Sequence, residues 1–250
     1  MSRAAQGLAL SILLLLCLIA AAPARLLLYA LPGNEIIMQG FSGTLWRGQA
    51  NRVLVATGPG YIQLGRVRWL LSPLSLLTLS PSGRVDSEWG KQKIGADIQI
   101  TGAQSLEFEQ LDALFSMRLL RAFLPLSVGG DIAVQFEHLK LEKGRPTEVA
   151  GNLVWQDAQW ESARGVVPLG TYALELEQAP GAALNGEVIT VTGAVEASGK
   201  VALAGEDYWI DISVKVAPDL NEQLREALSL IAQPVTGGYR IKFDGKSSNP

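Results

Sequence analysis

The residues able to do chemistry in this sequence are few and scattered. His138 is the sole histidine in 250 residues and Cys17 the sole cysteine. A Ser-His-Asp triad would have to be built on His138, yet no serine sits in a G-x-S-x-G turn. One histidine, and a cysteine placed inside an apolar run, leave no His/Cys ligand set for zinc. Neither a G-x-x-x-x-G-K-[ST] phosphate loop nor a G-x-G-x-x-G after a strand is present. Three carboxylate pairs remain: Glu107/Glu109, Glu175/Glu177 and Glu206/Asp207. A glycosidase needs two carboxyls across one cleft, but each pair fits a solvated face equally well. The expectation is a binding or structural protein rather than an enzyme, with no catalytic residue, no cofactor and no metal.

The elements that would carry these residues read as strands. In "DYWIDISVKVAPD", Tyr208, Ile210, Ile212, Val214 and Val216 share one parity, while Asp207, Asp211, Ser213 and Lys215 share the other. Such period-2 alternation marks a strand with one buried and one wet face. The pattern recurs in "DIAVQF", "TYALELE", "GEVITVTG", "GKVALAG" and "GYRIKFDG", with Gly-rich punctuation about every ten residues, as in an antiparallel meander. After "DIAVQFE", His138 falls at an apolar parity and Leu139 and Leu141 shift register, which predicts a bulge with His138 at an edge. No βαβ rhythm appears, so a parallel sheet with a nucleotide crevice is disfavoured. Two segments break the pattern. "SLEFEQLDALFSMRLLRAFLP" places Phe108, Leu111, Phe115 and Leu119 at helical spacing, with acidic residues early and Arg118 and Arg121 late. "PDLNEQLREALSLIAQP" opens on Asp219 with Glu222 three residues on, as in a capping box, and spaces Leu220, Leu224, Leu228 and Ile231 along one stripe. The predicted fold class is mostly β: an N-terminal membrane helix, then a multi-stranded antiparallel domain with two inserted amphipathic helices docked on a sheet face.

The N-terminus sets the location. Residues 8–24, "LALSILLLLCLIAAAPA", carry no charge. As a helix they span about 26 Å, slightly short of the ~30 Å hydrocarbon core. "LLLYALP" beyond Arg25 would extend the span. Ala22-Pro23-Ala24 also fits a signal-peptidase pattern, so a cleaved leader is the competing reading to a retained anchor. Either way Arg3 stays on the cytoplasmic side and the remainder crosses. Residues 1–31 are then a cytoplasmic stub and anchor, and 32–250 a periplasmic β-rich domain, divisible near 124–130 into a basic and an acidic half. Beyond residue 80 the chain holds 15 Lys+Arg against 23 Asp+Glu, which argues against nucleic acid as a partner. Without an exported cysteine the domain can hold no disulfide and depends on packing.

Two Trp/Gly motifs follow the anchor. "GFSGTLWRG" contains Gly43, Leu45, Trp46 and Gly48, and "LGRVRWLLSPLSLL" contains Val67, Trp69 and Leu71. With "VGGDIAV", "EVAGNLVWQDAQW", "PLGTYALELE" and the terminal "LREALSLIAQPVTGGYRIKFDG", their order resembles the type II secretion system protein N family. That resemblance implies a single-pass inner-membrane subunit of the general secretory pathway in a Gram-negative bacterium. Its bulk would be periplasmic, its partners other secretion subunits, and it would have no enzymatic activity or cofactor. The alternative is a lipid-handling envelope protein similar to the AsmA-type bridges, which also join an anchor to alternating strands. An apolar groove left uncovered by the helices would favour lipid.

Adjacent strand residues face opposite ways. Trp46 is therefore expected inside as an aromatic plug, and Arg47 outside, with an exposed Trp46 as the other reading. On β parity, Val67, Trp69 and Leu71 face the core, because Arg66 and Arg68 cannot be buried unpaired. Arg47, Arg52, Arg66 and Arg68 form a candidate basic strip for anionic headgroups or an acidic partner, or else are ordinary surface arginines.

Overall fold

The computed structural model describes residues 3–29, 31, 35–57, 60–76, 78, 80–122, 127–162, 165–216, 224–225, 228–229 and 232–246. The chain divides into two compact units, Met1–Gly90 and Lys91–Pro250. In the first, helix α1 (Arg3–Ala20) and a 3-10 turn (Ala24–Tyr29) precede β1 (Ile36–Gly43), β2 (Arg47–Thr57), β3 (Gly60–Leu71) and β4 (Ser82–Trp89). A second 3-10 turn, Pro73–Leu76, joins β3 to β4. The four strands lie side by side in chain order, each antiparallel to the next. The second unit holds β5 (Gln92–Gly102), β6 (Ser105–Ser116), β7 (Val128–Glu142), β8 (Arg145–Ser162), β9 (Gly165–Gln178), β10 (Leu184–Gly193), β11 (Val195–Ala204), β12 (Asp207–Val216), β13 (Gln233–Val235) and β14 (Gly238–Lys246). These too pair antiparallel in chain order, except that β14 lies between β12 and β13.

The alternating segments of the sequence form strands β7, β9, β10, β11, β12 and β14. On β12, Val214 is buried and Tyr208, Ile210, Ile212 and Val216 are half-buried, while Trp209, Ser213 and Lys215 face out. The first predicted helix is absent. Residues 105–116 form β6, and a 3-10 turn covers Met117–Ala122. The reason is a bulge. Gln110 adopts φ 49°, and the register to β5 shifts by one between Asp97↔Glu109 and Gly95↔Asp112. An extra residue in a strand moves every later side chain to the opposite parity. Leu106 and Phe108 before the bulge, and Leu111, Ala113 and Phe115 after it, then pair with Leu141, Leu139, Phe136, Val134 and Ile132 of β7. The three-residue step from Phe108 to Leu111 imitates helical spacing.

Of the second predicted helix, Leu224, Arg225, Leu228 and Ser229 are helical, and the Ala232 amide donates to the Leu228 carbonyl at 2.8 Å. The remainder of that helix, including Asp219 and Glu222, lies outside the described residues. Leu224 is buried against Ala158, Leu169, Val195, Val214 and Tyr239, with Trp155, Trp160, Tyr172 and Leu228 packed around them. This is the core of the second unit. The core of the first is Ala24, Ala50, Val53, Val67 and Trp69, flanked by Leu27, Phe41, Leu64, Leu71 and Val85. The anchor reading also changes in detail. The helix ends at Ala20, Pro23 pairs with Thr44 in an isolated bridge, and Leu27 packs on the protein core, so residues 26–29 do not prolong the helix. Among the described residues no helix is long and apolar enough to cross a membrane.

Tyr172 ties three strands of the second unit together. Its hydroxyl donates to the Val195 carbonyl at 2.8 Å, and its ring meets Trp155 at 5.9 Å between centroids. Burial pushes the phenol from its ordinary 10 up to about 12. The fold therefore favours the neutral phenol. Its contribution to stability is complete below the unfolded value and is lost as pH rises from 10 through about 12. Urea titrations of wild type and Tyr172→Phe should run parallel at neutral pH, offset by about 1 kcal/mol for the lost hydrogen bond. Above pH 10 the two curves should converge, and a constant offset would show that Tyr172 ionises freely in the fold.

Candidate functional site

The seven Trp/Gly-motif residues converge on one end of the first unit. β1 and β2 are joined by a tight connection in which the Thr44 amide donates to the Arg47 carbonyl at 2.9 Å. Gly43 opens it at φ +84°, and a Cβ there would lie 2.4 Å from the Arg47 carbonyl oxygen. Gly48 stands opposite both Gly43 and Trp69. A Cβ on Gly48 would meet the Trp69 indole at 2.5 Å, so the ring occupies the space that a side chain would need. The Trp69 indole N–H donates to the Leu45 carbonyl at 2.9 Å, and the ring meets Phe41 edge-on at 6.3 Å. Trp69 is only 4% exposed. Val67 beside it is buried and Leu71 packs against the same cluster, in the orientation that strand parity predicts.

Trp46 is different. It lies in the connection rather than in a strand, and is half-buried. It is not a core plug. Its indole N–H donates at 2.8 Å to the carbonyl of Ile19, near the C-terminal end of α1. The Leu45 amide donates to the Ala22 carbonyl at 2.7 Å, and the Leu71 amide donates to the Trp46 carbonyl at 2.7 Å. The hairpin thus grips the end of the apolar helix with one hand and β3 with the other. Sequence spacing carries no signal for the Trp46–Ile19 contact, which joins residues 27 apart.

The basic strip is divided. Arg47 and Arg68 line one groove of about 640 Å³ with Gln49, Leu70, Arg84 and Asp86. Arg52 instead stands opposite Gln39, and Arg66 opposite Glu88. Arg84, which the motif reading passed over, joins the groove because β4 returns beside β3 and sets it opposite Leu70.

The carboxylate pairs separate likewise. Because residues 105–116 are a strand, Glu107 and Glu109 lie beside β7, where His138 Nδ1 sits 3.1 Å from Glu109 Oε1 and 3.8 Å from Glu107 Oε1. On its other side, His138 Nε2 is 3.7 Å from Glu148 Oε2. Lys140 Nζ holds Glu148 at 3.0 Å, and that hydrogen bond and charge raise the lysine's pKa. The bulge predicted at His138 is present as a register shift after Phe136, but it lies between β6 and β8 rather than at an edge. Glu107, Glu109 and His138 are the described residues able to share a divalent cation, their donor atoms lying within 4.8 Å of one another. Glu175 and Glu177 line an open groove with Glu187, Lys200 and Trp209, and Glu206 pairs with Arg145 at 3.1 Å.

The family model described as "Type II secretion system (T2SS), protein N" matches residues 34–242, from the residue before Glu35 to the middle of β14. The chain belongs to this family. It is 26% identical over 232 residues to the type II secretion system protein N of Aeromonas hydrophila, covering 86% of each chain. It is 28% identical over 251 residues to that of Vibrio cholerae serotype O1, covering 95% of each. No solved structure matches the chain. Family membership makes the protein a type II secretion component, and the site that its motif residues build is a joint between a helix and a sheet.

Truncating the joint should cost stability in proportion to burial. Trp69→Ala should destabilise the first unit by about 3–5 kcal/mol, the usual range for a buried aromatic. Trp46→Phe, which keeps the ring but loses the donor, should cost only about 1 kcal/mol. Thermal melts of the two variants check this order. An unchanged Trp69→Ala melt would make Trp69 a contact residue rather than a core residue.

Proposed function

We propose that the protein is a single-pass inner-membrane subunit of the secretion machine, with its β-rich bulk in the periplasm, and that it acts by binding other secretion subunits rather than by catalysis. The observation that carries this reading is the Trp46–Ile19 hydrogen bond, by which family-motif residues fasten the sheet to the apolar helix. Leu10, Ile12, Leu13, Leu14, Leu15, Leu18 and Ile19 of α1 are all exposed. Four consecutive residues cover every face of a helix, so no part of the described chain shields it from its surroundings. At 18 residues α1 is about 27 Å long, a few ångströms below a typical hydrocarbon core, and local thinning absorbs such a mismatch at modest cost.

Retention of the helix is supported by Ala24. It is 2% exposed within the core of the first unit, so cleavage after it would remove a core residue from the sheet. Amino-terminal sequencing of protein from membranes should give the encoded start, and a mature terminus at Arg25 would overturn retention. Crosslinking in intact membranes followed by purification should bring down other secretion subunits with this chain. Complexes that lack it under those conditions would remove the assembly role.

A second reading, a lipid-handling sheet of the AsmA kind, rests on one observation. Across β6 to β9 the apolar side chains of Leu111, Phe136, Leu153, Leu174 and Leu176 are only half-buried, and the helix expected at residues 105–121 is not there to cover them. Native mass spectrometry of the purified chain distinguishes the two readings: bound phospholipid would favour the second, and its absence would discard it.

A further inference from the structure

One end of the first unit is built as a rim. The end of β1 at Gly43, the start of β2 at Arg47, the end of β3 at Leu71 and the start of β4 at Ser82 all lie there, together with the end of α1 that Trp46 and Leu45 hold. On the outer face the row nearest the rim reads Arg47, Leu70, Arg84 across three strands. The next reads Gln49, Arg68, Asp86, and Arg66 stands opposite Glu88 in the row beyond that. Positive charge is thus concentrated at the rim, and carboxylates enter only with distance from it. Between the two rim arginines Leu70 is 50% exposed, and Leu74 in the turn at the same end is 73% exposed.

We propose that this rim binds the phosphodiester headgroups of anionic lipids, with Arg47, Arg68 and Arg84 as the ligating side chains around the groove and Leu70 dipping toward the acyl region. The assignment rests on the reading of α1 as a membrane anchor, because only that puts the rim at headgroup depth. The chemistry is that of guanidinium forks, whose planar N–H donors match phosphate oxygens in pairs. The groove, at about 640 Å³, is of the size of a small-ligand site. Arg68 meets Glu88 at 3.7 Å on the exposed surface, where such a pair contributes little. The composition agrees: the first 80 residues hold six arginines and a single carboxylate, Glu35.

The test uses the full chain in nanodiscs of phosphatidylcholine doped with phosphatidylglycerol, with retained lipid read by native mass spectrometry. Phosphatidylglycerol should be enriched over its bulk fraction. Each of Arg47→Gln, Arg68→Gln and Arg84→Gln should lower that enrichment by about fivefold, the factor expected for one basic side chain at an anionic surface. Arg52→Gln with Arg66→Gln should leave it intact. An equal loss in that control pair, or no enrichment in wild type, would overturn the assignment while leaving the anchor reading untouched. Displacement of phosphatidylglycerol by inorganic phosphate at equal concentration would identify a free-phosphate site and overturn the lipid source. A chain that fails to enter nanodiscs would overturn the anchor reading, and the headgroup site with it.

Discussion

Position 48 can carry no side chain, and the first unit depends on that. The Trp69 ring lies over Gly48 where a Cβ would come within 2.5 Å. That contact lets the indole N–H reach the Leu45 carbonyl and lets the ring seal the cluster of Ala24, Ala50, Val53 and Val67. Gly43 supplies the positive φ that turns the chain just before it. With the hairpin closed in this way, Trp46 has no strand position left to occupy and is turned toward α1. A glycine, a buried indole and a tight connection therefore decide where an apolar helix meets a sheet. Leu45 and Trp46 contribute their backbones as much as their side chains, which is why a short Gly-x-Leu-Trp-x-Gly run can hold so much geometry.

How much of this was legible in the sequence follows from how far apart the interacting residues are. A strand such as β12 announces itself because Tyr208, Ile210, Ile212, Val214 and Val216 keep one parity throughout. β6 conceals itself, since the extra residue at Gln110 inserts one step of three, from Phe108 to Leu111, into period 2 and creates the appearance of a helical stripe. The same device operates in β8, where Asp157 adopts φ 47° and the inward sequence passes from Trp155 to Ala158. The orientation of Trp69 could be reasoned from Arg66 and Arg68, which must stay wet. The position of Trp46 could not, because parity arguments assume a strand and it lies between two. The gathering of Glu107, Glu109 and His138 was hidden for the same reason: a helix would have carried the glutamates away from β7.

The two units use their charged residues differently. In the second, carboxylates are matched across neighbouring strands: Arg240 with Asp211, Lys140 with Glu148, and His138 with Glu109. The Arg240 hydrogen bond holds the Asp211 carboxyl below its ordinary value. These pairs, half-buried to exposed, tie neighbouring strands together across the face of the sheet. In the first unit the arginines outnumber their partners, and they do so on the side where the helix is attached.

That attachment solves a problem specific to an apolar helix. The last carbonyls of any helix lack partners within it, and in an apolar medium each unmet group is expensive. Pro23 follows α1 closely and cannot donate to those carbonyls, since it has no N–H. Here the Ala22 amide and the Trp46 indole both donate to Ile19, the Leu45 amide donates to Ala22, and the Leu26 amide donates to Pro23. The hairpin thus meets the carbonyl of Ile19 in the last turn of the helix and that of Ala22 just beyond it. Tryptophan suits this position because its ring is apolar on both faces while the single N–H on its edge needs an acceptor. Cap and joint share the Ile19 carbonyl, so pulling the helix from the sheet breaks the Trp46 bond to Ile19 and the Leu45 bond to Ala22 together.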